Sequence, residues 1–416
     1  MTQGHQMLLL KLAFLNIGRN PRRSMITVLA IGVGLAALIF LWGFSDGTNE
    51  QMRENVIRLL TGHIQIHAPG YKNSLSPELT LPDRELLMQK LMTFKNLVAV
   101  SERVKCEALI GTSEKSRGVI LTGIDPEQET KVTDLKKYIR DGEFLNGQGK
   151  REIIIGDRLA EKVELKVGDK VVVMTQAMDG TLAGFSYYVK GIFHTGSQTL
   201  DEVSAYISLS SAQELLTLEN ETHEMVIRLN QRKIISSFLN ELKTSLTSGT
   251  SGNYDISTWD EIVPEVEQWA KWSEAIIRTI LMAVMVVIGV SIMNTVLMSV
   301  FERTRELGVM MAIGTSPGRV IRLILLETFI LELFGIVLGL ILGYLVTTYF
   351  AQVGIAFPEL ERAFSRSYMS TVTYTRVEPF HVLQSIVTLF ALTSFIGLYP
   401  AWKAGRMEPI KAIYRS

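Results

Sequence analysis

The sequence predicts an α-helical membrane protein with four transmembrane helices and a large α+β domain inserted between helices 1 and 2. Three observations carry that fold class: four apolar runs of about membrane length, one long insert of mixed strand and helix periodicity, and a charge distribution that separates the two. The 416 residues hold 42 Lys+Arg and 42 Asp+Glu, a formal charge of zero, which removes the basic excess expected of a nucleic-acid binder. Hydrophobic residues make up 47%, which excludes disorder over most of the chain. The single cysteine, Cys106, can close no intrachain disulfide and is too little for a zinc module.

In chain order, residues 1–23 are a basic, amphipathic N-terminal segment, and residues 24–45 are the first span. Its stretch MITVLAIGVGLAALIFLWGF holds no charge and, as a helix, is about 30 Å long, the thickness of a bilayer core. A signal peptide is the alternative, but the apolar stretch is too long and GFSDGTNEQ offers no small-x-small cleavage site, so an uncleaved anchor is expected. The second span, 273–301, is uncharged from Thr279 to Phe301. The third, 323–350, carries Glu327 and Glu332, and the fourth, 380–402, is interrupted only by His381. Segments 1–23, 302–322 and 403–416 together hold 12 basic and 3 acidic residues, leaving 30 basic and 39 acidic elsewhere. The positive-inside rule therefore places both termini and 302–322 in the cytoplasm, and 46–272 and 351–379 outside.

The insert, 46–272, begins and ends on helical stripes that abut a span. Met52, Val56 and Leu59 form one, and Ile262, Val266 and Trp269 the other, so both read as stalks that continue the membrane helices outward. Either the stripes bury against each other or the domain, or they line a gate for apolar cargo. Between them, strands are expected at 63–68, 97–104, 118–122, 153–155, 170–174, 187–193 and 205–207, and helices at 84–92, 158–163, 211–216 and 234–246. The Gly- and Ser-rich 244–253 reads as a surface loop.

No catalytic constellation and no metal site is expected. His63 and His67, the only close histidine pair, would stand about 13 Å apart on a strand, beyond joint ligation. There is no P-loop motif; GTSPGR reads as punctuation, with Gly314 ending one helix, Ser316 capping the next and Pro317 in its first position. Glu302, Arg303, Arg305 and Glu306 crowd one turn, followed by apolar Leu307, Met310, Met311 and Ile313. This is either a short helix under the membrane that shows a charged edge to a partner, or a solvated turn. Gly335, Gly339 and Gly343 form a smooth ridge for close helix packing, within the chain or between two copies. Glu327 is expected to reach headgroups or Arg322, and Glu332 either sits protonated against a neighbouring hydroxyl or serves transport.

The stretch MNTVLMSVFERTRELGVMMAIG resembles the second-span exit of the MacB / LolC–LolE / FtsX superfamily of ABC-transporter permeases. Met293, Asn294, Leu297, Val300, Glu302, Arg303, Glu306, Leu307, Gly308, Ala312, Ile313 and Gly314 carry the likeness. The closing YPAWKAGRMEPIKAI is similar to that family's C-terminal pattern, and LTGIDP, EIIIGDRLAEKVELKVGDKVVV and YYVKGIFHTG look like the periplasmic domain of its lipoprotein-releasing branch. The resemblance implies a permease subunit of the bacterial inner membrane that works by mechanotransmission, with Glu302, Arg303, Arg305, Glu306, Gly308 and Gly314 coupling it to an ATPase. It implies as partners a cytoplasmic ABC ATPase dimer, a second permease copy, membrane lipids, and a lipoprotein cargo or a periplasmic adaptor. This chain is then not itself an enzyme and carries no cofactor; ATP and Mg²⁺ belong to the ATPase. MacB-type proteins carry a nucleotide-binding domain ahead of the first span, and only about twenty residues precede it here, so the ATPase is expected on a separate chain. The alternatives are a MacB-like exporter of peptides or drugs and an FtsX-like protein that activates a wall hydrolase. The full-size insert argues against the last.

Overall fold

Among the described residues, four helices are long and apolar enough to cross a membrane: Pro21–Val56, Pro264–Glu302, Pro317–Val353 and Pro379–Gly405. They come from a computed structural model that describes residues 2–147, 149, 151–247, 253–356 and 372–408. Each helix outruns its expected span, because the apolar run fixes only the membrane-length part. Helix propensity carries the first into its stalk, and Pro264, Pro317 and Pro379 open the other three at positions where the missing N–H costs nothing. The chain divides into two compact units, one of residues 1–48, 270–355 and 373–416, the other of residues 49–269 and 356–372. Most of the connection 351–379 and the end of the tail 403–416 lie outside the described residues.

The helical unit buries Leu35, Leu38, Ile292, Ile324, Leu389 and Ala404 in one core. Its outer faces stay apolar, with Val287, Ile341 and Phe395 more than half exposed, as lipid-facing surfaces require. The N-terminal segment is a helix, Thr2–Arg19, whose Ala13 is buried against Leu323 and Ile330 of the third long helix.

The other unit is built from ten strands: β1 (Ile64–His67), β2 (Leu97–Gly111), β3 (Ser116–Ile124), β4 (Ile139–Gly142), β5 (Glu152–Gly156), β6 (Lys170–Gln176), β7 (Leu182–Phe193), β8 (Ser204–Ser208), β9 (Glu224–Leu229) and β10 (Asp255–Thr258). They form two lobes that share β2. One lobe is the sheet β10-β1-β9-β2, covered by helices Arg84–Leu91 and Ile235–Thr247 through Leu87, Leu91, Phe238 and Leu242. In the other, β2-β3-β8-β5-β7-β6 returns to β2, closing a six-stranded ring around Ile110, Ile153, Val173, Tyr187 and Ile207. β2 runs seven residues past its expected end: Val104, Cys106, Ala108 and Ile110 point inward, a period-2 pattern that follows the continuously buried Ala99–Arg103. Residues 244–247, expected in a loop, finish the helix Ile235–Thr247; residues 248–252 are outside the described set.

The stalk stripes face this unit's own core. Met52, Val56 and Val266 are buried in the first lobe, with Ile262 partly buried beside them; Leu59 is buried too, and only Trp269 is exposed. The two stalks are also tied by Arg53, which forks onto Glu267 with Nη2 3.0 Å from Oε2. In this conformation the six residues offer little apolar surface to cargo.

His63 illustrates a pH-dependent element of this packing. The Leu229 amide donates to His63 Nδ1 at 3.2 Å, and burial pushes the imidazole down to about 4. The folded unit therefore keeps a neutral ring while the unfolded chain takes up a proton below about 6.5. The resulting stability is complete above pH 6.5 and is lost as pH falls towards 4, by up to about 3 kcal/mol. Thermal unfolding of the full chain in detergent is expected to show His63→Asn losing less stability than the parent between pH 7 and 4. Identical slopes would refute it.

Candidate functional site

The second long helix ends at Glu302, Arg303 turns out of helical geometry (φ −103°, ψ 13°), and a separate helix, Thr304–Ala312, follows. Thr304 Oγ1 holds the break by donating to the Val300 carbonyl at 3.1 Å. Leu307 and Gly308 are buried, Met310 and Met311 lie partly buried against the same core, and Arg305, Val309 and Ile313 are exposed. Ile313 thus leaves the apolar face expected of it, because it is the C-cap rather than part of the helix. Gly314 follows at φ +104° with nothing near a would-be Cβ, so backbone conformation, and not space, demands glycine there. Ser316 occupies the next N-cap position but its side chain makes no capping bond.

Glu302, Arg303 and Glu306 are tied to their own chain. Arg303 is only 17% exposed, and its Nη1 lies 3.0 Å from both oxygens of Glu327. Asn16 of the N-terminal helix donates to the same carboxylate at 2.5 Å. Glu327 is therefore held by Arg303 and Asn16, and the expected Arg322 partner is replaced: Arg303 lies at the end of an adjacent helix and can point inward. Glu302 pairs with Arg23, and Glu306 pairs with Arg19 at 2.8 Å and with Arg303 at 3.5 Å. Burial works to raise the Glu306 carboxyl, but Arg19 and Arg303 outweigh it and hold the group below the usual carboxylate range. These residues bound a polar cavity of about 360 Å³ between the N-terminal helix and three of the long helices. Arg19, Arg23 and Asn16 are the members that sequence reasoning missed; the acid-free basic run of residues 1–23 was the available signal.

The glycine ridge packs within the chain. A Cβ on Gly335 would stand 2.5 Å from Ile31 Cγ2, one on Gly339 2.7 Å from Leu35 Cβ and 2.8 Å from the Gly32 carbonyl oxygen, and one on Gly343 3.0 Å from Ile39 Cβ. First and third long helices therefore meet almost backbone to backbone. Glu332 is 1% exposed, and the Thr393 hydroxyl of the fourth long helix donates to its Oε1; its Oε2 has no partner among the described residues.

One cluster was not foreseen. Asp157, His194 and Asp201 bring three ligand-type atoms within 4.8 Å of one another. The contacts are explained by hydrogen bonds within the cluster: His194 Nδ1 lies 2.7 Å from Asp157 Oδ2, and Asp201 accepts from the Thr195 amide at 2.9 Å and the Thr195 hydroxyl at 2.7 Å. It fastens the loop after β7 to the helix after β5.

Comparison with known proteins matches two stretches of the chain. The FtsX-like permease C-terminal model matches residues 278–409, and the MacB-like periplasmic core domain model matches residues 24–245. The lipoprotein-releasing system transmembrane protein LolC of Xylella fastidiosa is 22% identical over 404 residues, covering 94% of this chain and 93% of that protein. LolC of Neisseria meningitidis serogroup B is 25% identical over 405 residues with the same coverage. The macrolide export ATP-binding/permease protein MacB of a Shewanella species is 23% identical over 422 residues, and the match spans 97% of this chain but 60% of that protein. With a family model spanning more than half of its residues and a second matching the helical part, the chain belongs to the MacB / LolC / FtsX superfamily of ABC-transporter permeases, multi-pass membrane proteins.

Proposed function

We propose that this chain is the permease that releases lipoproteins from a bacterial inner membrane, driven by a separate cytoplasmic ABC ATPase that holds ATP and Mg²⁺. The observation that carries the reading is the helix Thr304–Ala312: anchored by Leu307 and by the Arg303–Glu327 pair, it leaves Arg305, Val309 and Ile313 exposed, the last at 79%. Such a rigidly joined, exposed knob suits a docking groove on an ATPase, and a push on it is passed to the second long helix. Both termini and this helix then face the cytoplasm, the two-lobed unit faces the periplasm, and a second permease copy completes the transporter. A match that runs over 94% of this chain and 93% of the lipoprotein-releasing relatives supports lipoproteins as cargo.

Photo-crosslinkers at Ile313 and Trp269 in living cells test both halves. Ile313 is expected to capture a P-loop ATPase, and Trp269, the exposed member of the stalk stripes, a lipoprotein whose adduct disappears when its acyl chains are removed. Adducts from Trp269 with a periplasmic adaptor alone would replace lipoprotein release by export.

A further inference from the structure

The first stalk does not end as an ordinary α-helix. Its last turn, Ile57–Thr61, is a π-turn, a register that leaves carbonyls without helical partners. Two of these are taken by groups from elsewhere in the two-lobed unit. The Asp134 amide donates to the Arg58 carbonyl at 2.8 Å, and Arg103 Nη1 donates to the Leu60 carbonyl at 2.7 Å.

Arg103 has a singular place in the fold. The β2–β9 pairing runs from Leu97 to Arg103 and the β2–β3 pairing from Arg103 to Gly111, so Arg103 is the one β2 residue that belongs to both lobes. Its side chain is 4% exposed and forks onto Glu129, with Nη2 2.7 Å from Oε1 and Nε 3.0 Å from Oε2, while Nη1 also lies 3.4 Å from Glu224 of β9. Burial opposes both partners, yet Glu129 holds the guanidinium above its ordinary range. Arg103, with Ser101 and Thr133 as further donors, in turn holds Glu129 below the usual carboxylate range. Glu129 sits on the short helix Pro126–Val132 that leads to Asp134, whose carboxylate pairs with Arg58 at 3.3 Å. Leu60, Arg103, Glu129, Asp134 and Arg58 thus close a circuit around the end of the stalk.

We infer that Arg103 is the positioning residue through which displacement of the stalk reaches both lobes at once. An ion cluster this deeply buried is poor value as a source of stability, since apolar replacements of similar volume are often neutral. What the guanidinium supplies, and an apolar side chain cannot, is a directional grip on one stalk carbonyl, on Glu224 of β9 and on Glu129 of the helix that follows β3. The inference rests on the proposed transporter mechanism for its consequence, but the grip itself is readable without cargo.

The experiment uses the full chain with its ATPase in lipid nanodiscs, spin-labelled at cysteines replacing Glu54 on the stalk and Glu164 on the ring lobe. Cys106 can stay, because burial pushes its thiol up to about 11 and away from the reagent. In the parent, the stalk-to-lobe distance is expected to be narrow and unchanged by ATP. Arg103→Lys keeps the charge but loses the fork; it is expected to broaden that distance and to lower ATP-driven lipoprotein release on the order of tenfold, with basal hydrolysis retained. Should this variant fold poorly, Arg103→Met combined with Glu129→Met and Glu224→Met removes all three charges together, with loss of the His67 contact to Glu224 at 3.4 Å, and is expected to keep a cooperative melt while showing the same broadening. A narrow, unchanged distance in a folded variant of either kind would overturn the inference. A parent that moves no lipoprotein yet shows the variant-dependent broadening would instead overturn the cargo reading and leave the joint intact.

Discussion

Gly339→Leu is expected to separate the first and third long helices and to reduce the yield of monodisperse, ATPase-competent permease at least tenfold. A side chain there meets the Gly32 carbonyl oxygen at 2.8 Å as well as Leu35 Cβ at 2.7 Å, and a backbone atom in a helix cannot swing aside as a side chain can. Overpacking a well-filled core costs about 1–3 kcal/mol, and contact with backbone puts this case at the upper end. Helix association in lipid depends on this close fit, without a hydrophobic drive to compensate. Gly318→Leu is the matched control, since nothing lies within 4 Å of its Cβ position on the same helix. Size-exclusion profiles and stimulated ATP hydrolysis of the two variants decide the matter. If they behave alike, the ridge is not a packing surface.

Arg303→Met carries the second large effect. It strips Glu327 of its ion-pair partner and leaves an acid, 12% exposed, with Asn16 as its remaining donor. Breaking a buried pair from one side costs about 3–5 kcal/mol, whereas removing both partners is often neutral. The single variant is therefore expected to melt well below the parent. Arg303→Met with Glu327→Met is expected to recover the melting temperature but not cargo-stimulated hydrolysis, because the turn between the second long helix and Thr304–Ala312 is no longer fixed. Full recovery of both would reduce the pair to a structural contact.

What could be read from the sequence followed the range of the interactions concerned. The four long helices were legible because each rests on a continuous apolar run, a local signal of about 20 residues. Most strands were found because one face alternates, as in β6, where Val171, Val173 and Thr175 are buried and their neighbours exposed. β9 escaped because five of its six residues are buried on both faces and no alternation survives, and β10 because its DIST sequence lacks an apolar run. The stripe Met52, Val56, Leu59 was visible, but whether it met cargo or core depended on strands up to two hundred residues away. The coupling segment shows the same limit more sharply. Glu302, Arg303 and Glu306 were identifiable by type and spacing, yet their partners Arg23, Glu327 and Arg19 come from other helices, and no local pattern encodes which arginine meets which acid.

Closure of the six-stranded ring has a consequence for what can attach to it. Every strand in the ring has both of its lateral hydrogen-bonding edges engaged by neighbours, and β4 takes up the stretch of β7 that β6 leaves. A visiting peptide that binds by adding a strand needs an open edge, and sheets that offer one also risk pairing with copies of themselves. The ring leaves only short stretches of this kind, such as Ser116–Val119 of β3, which run past β8, so recognition there goes mainly through side chains on its outer face. Backbone-led recruitment in this unit is confined to short stretches, Leu97–Glu102 of β2 before β3 joins it, Ser116–Val119 of β3, and the four-residue terminal strands β10 and β4.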